Sequence, residues 1–299
     1  MKNGLITCLL AVLFCLPLAF GFPFVTLTAV SVLLTFTYVR NSLKLYLICL
    51  AVCLICLAAV FWSDLPAALC CFMPVAAVSY LLGSGIKKKK SFANVIISSS
   101  VAAIAAITVI LLYLSHVTGK TPFSVIFGDY IAILKQVFAQ LELSADLADS
   151  FALQLEYLFP SFIIIFASVE VYIVFGISRY VLERKGYVPE NMPYFYQLRL
   201  GKTFATVFLV ILLFSLFGGA SIVSMNIIAV AITLFSVCGI SVCVYWLRNA
   251  GLPKAVRIII YVLFAMLVLL SVLGGLPMIA LFGIGIFDCY RPLRIKRED

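Results

Sequence analysis

Charge is scarce in this chain and histidine almost absent. Only 11% of the 299 residues are Asp, Glu, Lys or Arg, against about a quarter in an average soluble domain. A water-soluble fold of this length has too few polar side chains to cover a chain that is 65% hydrophobic with a mean hydropathy of +1.22. His116 is the one histidine, which excludes a histidine-cluster metal site and leaves general acid–base catalysis few players. No Ser/His/Asp set, zincin string or dinucleotide fingerprint occurs. Gly119-Lys120-Thr121 has the ending of a phosphate-binding loop, but position 114 is Leu where that motif needs Gly. The chain is therefore expected to be no enzyme and to use no cofactor and no metal. A net charge of +9 would raise nucleic acid as a partner, yet no groove-reading motif accompanies it.

What the sequence has in quantity is long apolar runs, which a bilayer can solvate. Spans are expected at about 4–20, 23–39, 43–62, 66–83, 93–115, 158–180, 203–219, 225–247 and 256–273, with a short tenth near 276–290. The fold class is thus all-α, a polytopic membrane protein of about eight to ten helices forming one integral membrane domain, 1–299. Within it, 1–116 supplies N-terminal helices, 117–157 an extracytoplasmic amphipathic segment and 158–299 C-terminal helices. The start, Met1-Lys2-Asn3 followed by an apolar run, imitates a signal peptide, but no small-x-small cleavage site follows, so a retained first span is expected.

Orientation follows from the basic residues, which cytoplasmic loops retain during insertion. Arg40 and Lys44, Lys87 to Lys90, the Arg179–Lys202 group, Arg248 to Arg257 and the terminal Arg291–Arg297 cluster all fall on one side of this threading; only Lys120 and Lys135 do not. Both termini are then cytoplasmic. The rule strains at 256–290, where the terminal Arg residues stay inside only if the helix breaks near Gly274-Gly275 and Pro277. In 117–157, Thr121-Pro122 is a helix start. Ile126, Tyr130, Ile133, Leu134, Val137 and Leu141 recur near helical spacing, and Ser144 is the expected cap of a second short helix.

Glu170 is the sharpest single signal, because it falls near mid-bilayer. A charge there costs roughly 2.5–3.5 kcal/mol on insertion scales, so such residues face protein or water. Its neighbours three and four residues away, Phe166, Ala167, Ile173 and Val174, offer no partner. Two readings stay open: a substrate or proton site, or a protonated acid bonding a neighbouring helix. Asp64, His116, Ser221, Ser224 and Asn226 fall at outer span ends and would rim a cavity if they converge. Candidate substrate-binding residues are therefore Glu170, Asn226, His116 and Asp64.

Nine of the ten cysteines lie in apolar runs, where thiolates are disfavoured. Cys49, Cys53 and Cys56 share one helix face and read as small hydrophobes. Ala11, Cys15 and Ala19, like Ser98, Ala102 and Ala106, repeat every four residues, a spacing that lets helices approach closely.

Two stretches and a loop carry a family resemblance. They are Asn226 through Lys254 with Gly239, Trp246-Leu247-Arg248 and Gly251-Leu252-Pro253-Lys254; the tail Gly283-Ile-Gly-Ile-Phe287-Asp288 with Arg291 and Arg294; and Pro193-Tyr194-Phe195 before Leu198-Arg199-Leu200. Together they resemble the YybS-like family of uncharacterised bacterial membrane proteins, chiefly over the C-terminal half. Cys238 stands where that pattern is expected to carry Gln. The resemblance implies a bacterial plasma membrane location and a distant similarity to substrate-binding S components of energy-coupling-factor transporters. Those proteins capture a solute from outside and dock, through a small-residue face, on a membrane coupling protein with ATPases. Ala11, Cys15 and Ala19 would be the docking face here. The sequence thus points to a small-solute transport or substrate-binding subunit, with a non-enzymatic scaffold in cell-envelope or division assembly as the alternative.

Overall fold

A computed structural model of the chain describes residues 7–10, 12–13, 23–142, 144–187, 193–218 and 221–294. Among them all regular structure is helical: α1 (Pro23–Arg40), α2 (Leu43–Val60), α3 (Leu65–Lys87), α4 (Phe92–Thr118), α5 (Pro122–Gln140), α6 (Ala145–Arg184), α7 (Lys202–Gly218), α8 (Ile222–Asn249), α9 (Lys254–Gly274) and α10 (Leu276–Tyr290). A short 3-10 turn, Phe195–Gln197, precedes α7. Six of these helices (α2, α3, α4, α5, α6 and α8) are long and apolar enough to cross a membrane. The protein is an all-α, multi-pass membrane protein. The expected Ala11/Cys15/Ala19 face lies outside the described residues.

Local chemistry accounts for the helix ends. Asp64 caps α3 through Ala67 N–H at 3.0 Å, and Ser42 and Thr121 cap α2 and α5 in the same way. The break expected near Gly274-Gly275 is present: α9 stops at Gly274, and Gly275 has a φ of +74°, a left-handed value that glycine adopts freely. One expectation is overturned. Ser144 does not begin a separate short helix, because α6 runs unbroken for 40 residues with Pro160 inside it. At 1.5 Å per residue that is about 60 Å, twice the hydrocarbon core. The longer helix persists because a membrane-protein helix tolerates Pro when neighbours re-satisfy the freed carbonyl. Pro160 removes one bond of the ladder, the one to Glu156 C=O, and the helix continues through it.

The chain divides into two compact units, Met1–Met192 and Pro193–Asp299. In the first, α1 packs on α3, α3 on α4, α4 on α6 and α6 on α1, a closed ring of four helices. Its interior holds Val39 from α1, Val78, Leu82 and Ile86 from α3, Val95 and Ala103 from α4, and Val171, Val174 and Phe175 from α6. Outside the ring, α2 lies on α1 and α3, and its Cys49 and Cys53 are buried beside Leu34 and Val75 as small hydrophobes. On the other side α5 lies on α4 and α6: Phe123 and Phe127 meet Phe159, and Lys135 pairs with Asp149 at 2.6 Å. α5 therefore runs alongside the N-terminal half of α6, which is its surplus length.

In the second unit α8 and α10 cross at backbone contact. A Cβ on Gly239 would collide with the Leu281 carbonyl, and one on Gly285 with the Phe235 carbonyl. Only glycine permits this approach. Phe208, Phe235 and Phe282 pack around the crossing at centroid separations of 5.2–6.0 Å.

Candidate functional site

The buried face of α6 carries Ala167, Glu170, Val171, Val174, Ser178 and Leu182, one stripe at helical spacing. Four of these are in the ring's core cluster, so Glu170 and Ser178 point into that core too. Glu170 is only 5% exposed. Among the described residues no hydrogen bond or ion pair reaches its carboxyl. The partner missing from its own helix is not supplied by another described helix.

Hydroxyls from two other ring helices point into the same interior. On α1, Thr28, Val32, Thr35 and Val39 follow a spacing of four, three and four residues. Val32 and Val39 belong to the cluster that holds Val171 and Val174, so Thr28 and Thr35 face it as well. On α4, Ser99 lies four residues from both Val95 and Ala103, and Ser100 four from Ile96 and Ile104, all members of that cluster. Thr28, Thr35, Ser99, Ser100 and Ser178 are buried and their hydroxyls bond to nothing among the described residues. That is unusual in an apolar helix, where Ser and Thr ordinarily donate to the carbonyl one turn back. Thr37, Ser98, Thr108 and Thr233 of this chain do so at 2.8, 3.2, 2.8 and 2.9 Å.

Contacts at the basic end set the levels. The Arg40 guanidinium donates to Lys185 C=O at 2.8 Å, so counting back along the parallel α1 and α6 puts Thr28 about one turn from Glu170. The Phe92 ring meets Tyr172 and Phe175 at 6.4 and 5.3 Å, so counting forward along the antiparallel α4 puts Ser99 and Ser100 about one turn from Glu170. The result is a polar seam within an apolar ring: the Glu170 carboxyl with the Thr28, Ser99 and Ser100 hydroxyls about one turn away, and Thr35 and Ser178 farther along towards the basic end. Chemically it can hold a proton, a cation or the donors of a small polar solute. An unpartnered carboxylate at this depth is costly as a bare anion.

The other sequence candidates lie elsewhere. Asp64, beyond capping α3, accepts the hydroxyl of Tyr113, which latches α3 to α4. Tyr113 and Ser99 are fourteen residues apart on α4, about 21 Å by helical rise, so Asp64 and the seam are separate places. His116 is exposed one turn beyond Tyr113. In the second unit Asn226 bonds back to Ile222 C=O at 2.9 Å, and Ser215 donates to Ser224 at 3.1 Å, which also bonds Ser221. The seam hydroxyls had a weak sequence signal: Thr28 and Thr35 seven residues apart, and a Ser98-Ser99-Ser100 run inside an apolar span.

The second unit holds a buried acid of a different kind. Asp288 is 1% exposed, and its Oδ1 accepts Leu293 N–H at 3.0 Å. Its Oδ2 lies 3.2 Å from Arg294 Nη2 and 3.9 Å from Arg199 Nε and accepts no hydrogen bond among the described residues, so these contacts are ionic. Arg294 donates to the carbonyls of Tyr196 and Leu198 at 2.8 and 2.7 Å, and Arg199 to that of Asp288 at 3.0 Å. Ser241 also donates to the carbonyls of Phe195 and Leu198. The segment 193–200 and the tail are thereby tied to α8 and α10. Asp288, Arg199, Arg294 and the Gly239–Gly285 crossing are the residues through which the C-terminal sequence pattern was legible, and their observed work is structural.

Neither the curated proteins nor the solved structures contain a match to this chain. A family description does match, over residues 5–289, nearly the whole length, and it agrees with the helical, multi-pass architecture: the chain belongs to the predicted membrane protein family DUF2232.

Proposed function

We propose that the protein is a small-solute transport or substrate-binding subunit of a bacterial plasma membrane, with the Glu170 seam as its ligand site. One observation carries this reading. Among the described residues Glu170 is a buried acid with no hydrogen-bond or ion-pair partner, and the buried, unpartnered hydroxyls of Thr28 on α1 and of Ser99 and Ser100 on α4 lie about one turn away. Each unsatisfied buried polar group costs about 1–3 kcal/mol, so a scaffold core has no reason to collect them. A ligand that donates hydrogen bonds or carries positive charge offsets that cost. The resemblance to S components drawn from the sequence leads us to propose a membrane coupling protein with ATPases as the partner. The test is a thermal-stabilisation screen of the purified protein against cations, vitamins and amines. Glu170→Gln is expected to weaken a hit by about tenfold or more; unchanged affinity removes Glu170 from the site.

The scaffold reading draws on a different feature. α5 has no buried residue, and Ile126, Tyr130, Ile133, Val137 and Leu141 are exposed along it. Exposed apolar faces of this extent suit a protein partner. Cross-linking followed by partner identification separates the two. Co-purification with a coupling protein and ATPases favours transport, whereas envelope-synthesis partners with no ligand favour the scaffold.

A further inference from the structure

A cavity of about 560 Å³ opens between the end of α3 and the start of α4, apart from the Glu170 seam. Its mouth carries Lys90, Ser91 and Asn94; Leu81, Val95 and Ile97 line it further along the two helices. We propose that this groove binds one anionic phospholipid, the headgroup phosphate at Lys90, Ser91 and Asn94 and the start of an acyl chain along Leu81 and Ile97.

The turn between the helices is built, not loose. Lys90 N–H bonds Gly85 C=O at 3.0 Å and Lys89 N–H bonds Ile86 C=O at 3.2 Å, the two bonds of a Schellman motif. The left-handed position of that motif normally goes to Gly, but here it is Lys89, with a φ of +52°. Such a residue is held in a sparsely populated conformation, and the fold keeps it there against that cost. The consequence is a fixed backbone at Lys90, directly before the cap of α4. Gly85 lets α4 close in below: a Cβ there would stand 2.5 Å from Val95 Cγ2.

The polar groups at the mouth are unspent. Ser91 is the cap residue of α4, yet its hydroxyl makes no capping bond. The first helical bond of α4 is Val95 N–H to Ser91 C=O, so the amides of Phe92, Ala93 and Asn94 lack helical acceptors. Among the described residues neither the Lys90 ammonium nor the Asn94 carboxamide has a bonding partner. A cation, a hydroxyl, a carboxamide and three free amides at a helix N-terminus are the donor set of a phosphate site. Lys87, Lys88 and Lys89 surround it with further positive charge.

The source of the phosphate follows from the rest of the groove. Leu81 lies six residues inside the end of α3 and Ile97 five inside the start of α4, about 9 and 7.5 Å along the axes. Ile97 is exposed, so the groove opens sideways, where the acyl region of a bilayer lies. A soluble phosphate compound has no use for that apolar extension; a phospholipid does.

The experiment is thermal unfolding of the detergent-purified full chain with phosphatidylglycerol, with phosphatidylcholine of the same acyl chains, or with inorganic phosphate. Phosphatidylglycerol is expected to raise the midpoint and phosphatidylcholine not. Lys90→Glu is expected to remove the shift and Lys254→Glu, in the other unit, to keep it. Equal shifts with both lipids, or an intact shift in Lys90→Glu, overturn the proposal. Competition by millimolar inorganic phosphate overturns the lipid assignment in favour of a soluble phosphate. Should Lys90→Glu fail to fold, the Asn94→Ala protein is compared with the unmodified chain for retained phosphatidylglycerol by native mass spectrometry. About tenfold lower retention is expected, and equal retention overturns the site.

Discussion

Glu170 and Asp288 are both acids buried in apolar helices, and the two units treat them oppositely. Asp288 is placed against Arg294 and Arg199, takes the Leu293 amide, and fastens a loop and the tail. Glu170 has no counter-charge and no donor among the described residues, and the hydroxyls of Thr28, Ser99 and Ser100 near it have no partner there either. The difference separates an acid whose contacts fasten the fold from one that no contact among the described residues uses. It also explains why a mid-membrane acid alone did not decide between a ligand site and a helix-to-helix bond: the surroundings decide, and they lie far away in sequence.

The largest effect that tests this comparison belongs to Asp288. Asp288→Ala leaves the Arg294 guanidinium, itself only 10% exposed on its side chain, without its counter-charge. Breaking one side of a buried pair costs about 3–5 kcal/mol. A large drop in the thermal unfolding midpoint is expected, with release of the tail measured by protease sensitivity near Arg294. A midpoint unchanged from the parent breaks the comparison, because Asp288 would then be as dispensable as Glu170.

Next in size is the helix crossing that Asp288 borders. Gly239→Ala drives a methyl into the Leu281 carbonyl, and α10 must move away. Overpacking of this kind costs about 1–3 kcal/mol. Gly283→Ala is the control, because a Cβ there meets nothing within 4 Å. The thermal midpoint should fall for the first and hold for the second.

A smaller effect asks whether the first unit leaves all its polar groups unpaired or only those of the seam. Tyr113 donates to Asp64 at the far end of α4 from the basic loop, an ordinary satisfied pair. Tyr113→Phe is expected to cost about 1 kcal/mol in the thermal midpoint. A loss of that size places the unpartnered condition at the seam and not throughout the unit.

These residues also show what the sequence could and could not reveal. The α9–α10 break was legible because glycine pairs and proline punctuate helices for local reasons, and the start of α5 because Thr-Pro is a local signal. The start at Ser144 was legible, but the unbroken length of α6 was not, because Pro160 carries a break signal that the membrane setting overrides. Glu170 stood out by depth alone. Thr28, Thr35, Ser99, Ser100 and Ser178 did not, since a Ser or Thr in an apolar helix normally disappears into a bond with its own backbone. Only packing reveals which ones fail to.

The smallest stability change is expected at Glu170, and it is the most informative. A carboxylate that holds helices together loses a bond when it becomes an amide, and the protein weakens. Glu170 has no such bond to lose. Glu170→Gln keeps the shape and removes only the capacity for charge, so the ligand-free protein is expected to hold its midpoint or rise by about 1 kcal/mol, the direction expected when a poorly compensated buried charge is removed. A fall comparable to that of Tyr113→Phe would assign Glu170 to a helix contact and make the two acids alike. A steady or raised midpoint, together with lost ligand response, is the signature of an acid the fold carries at its own expense.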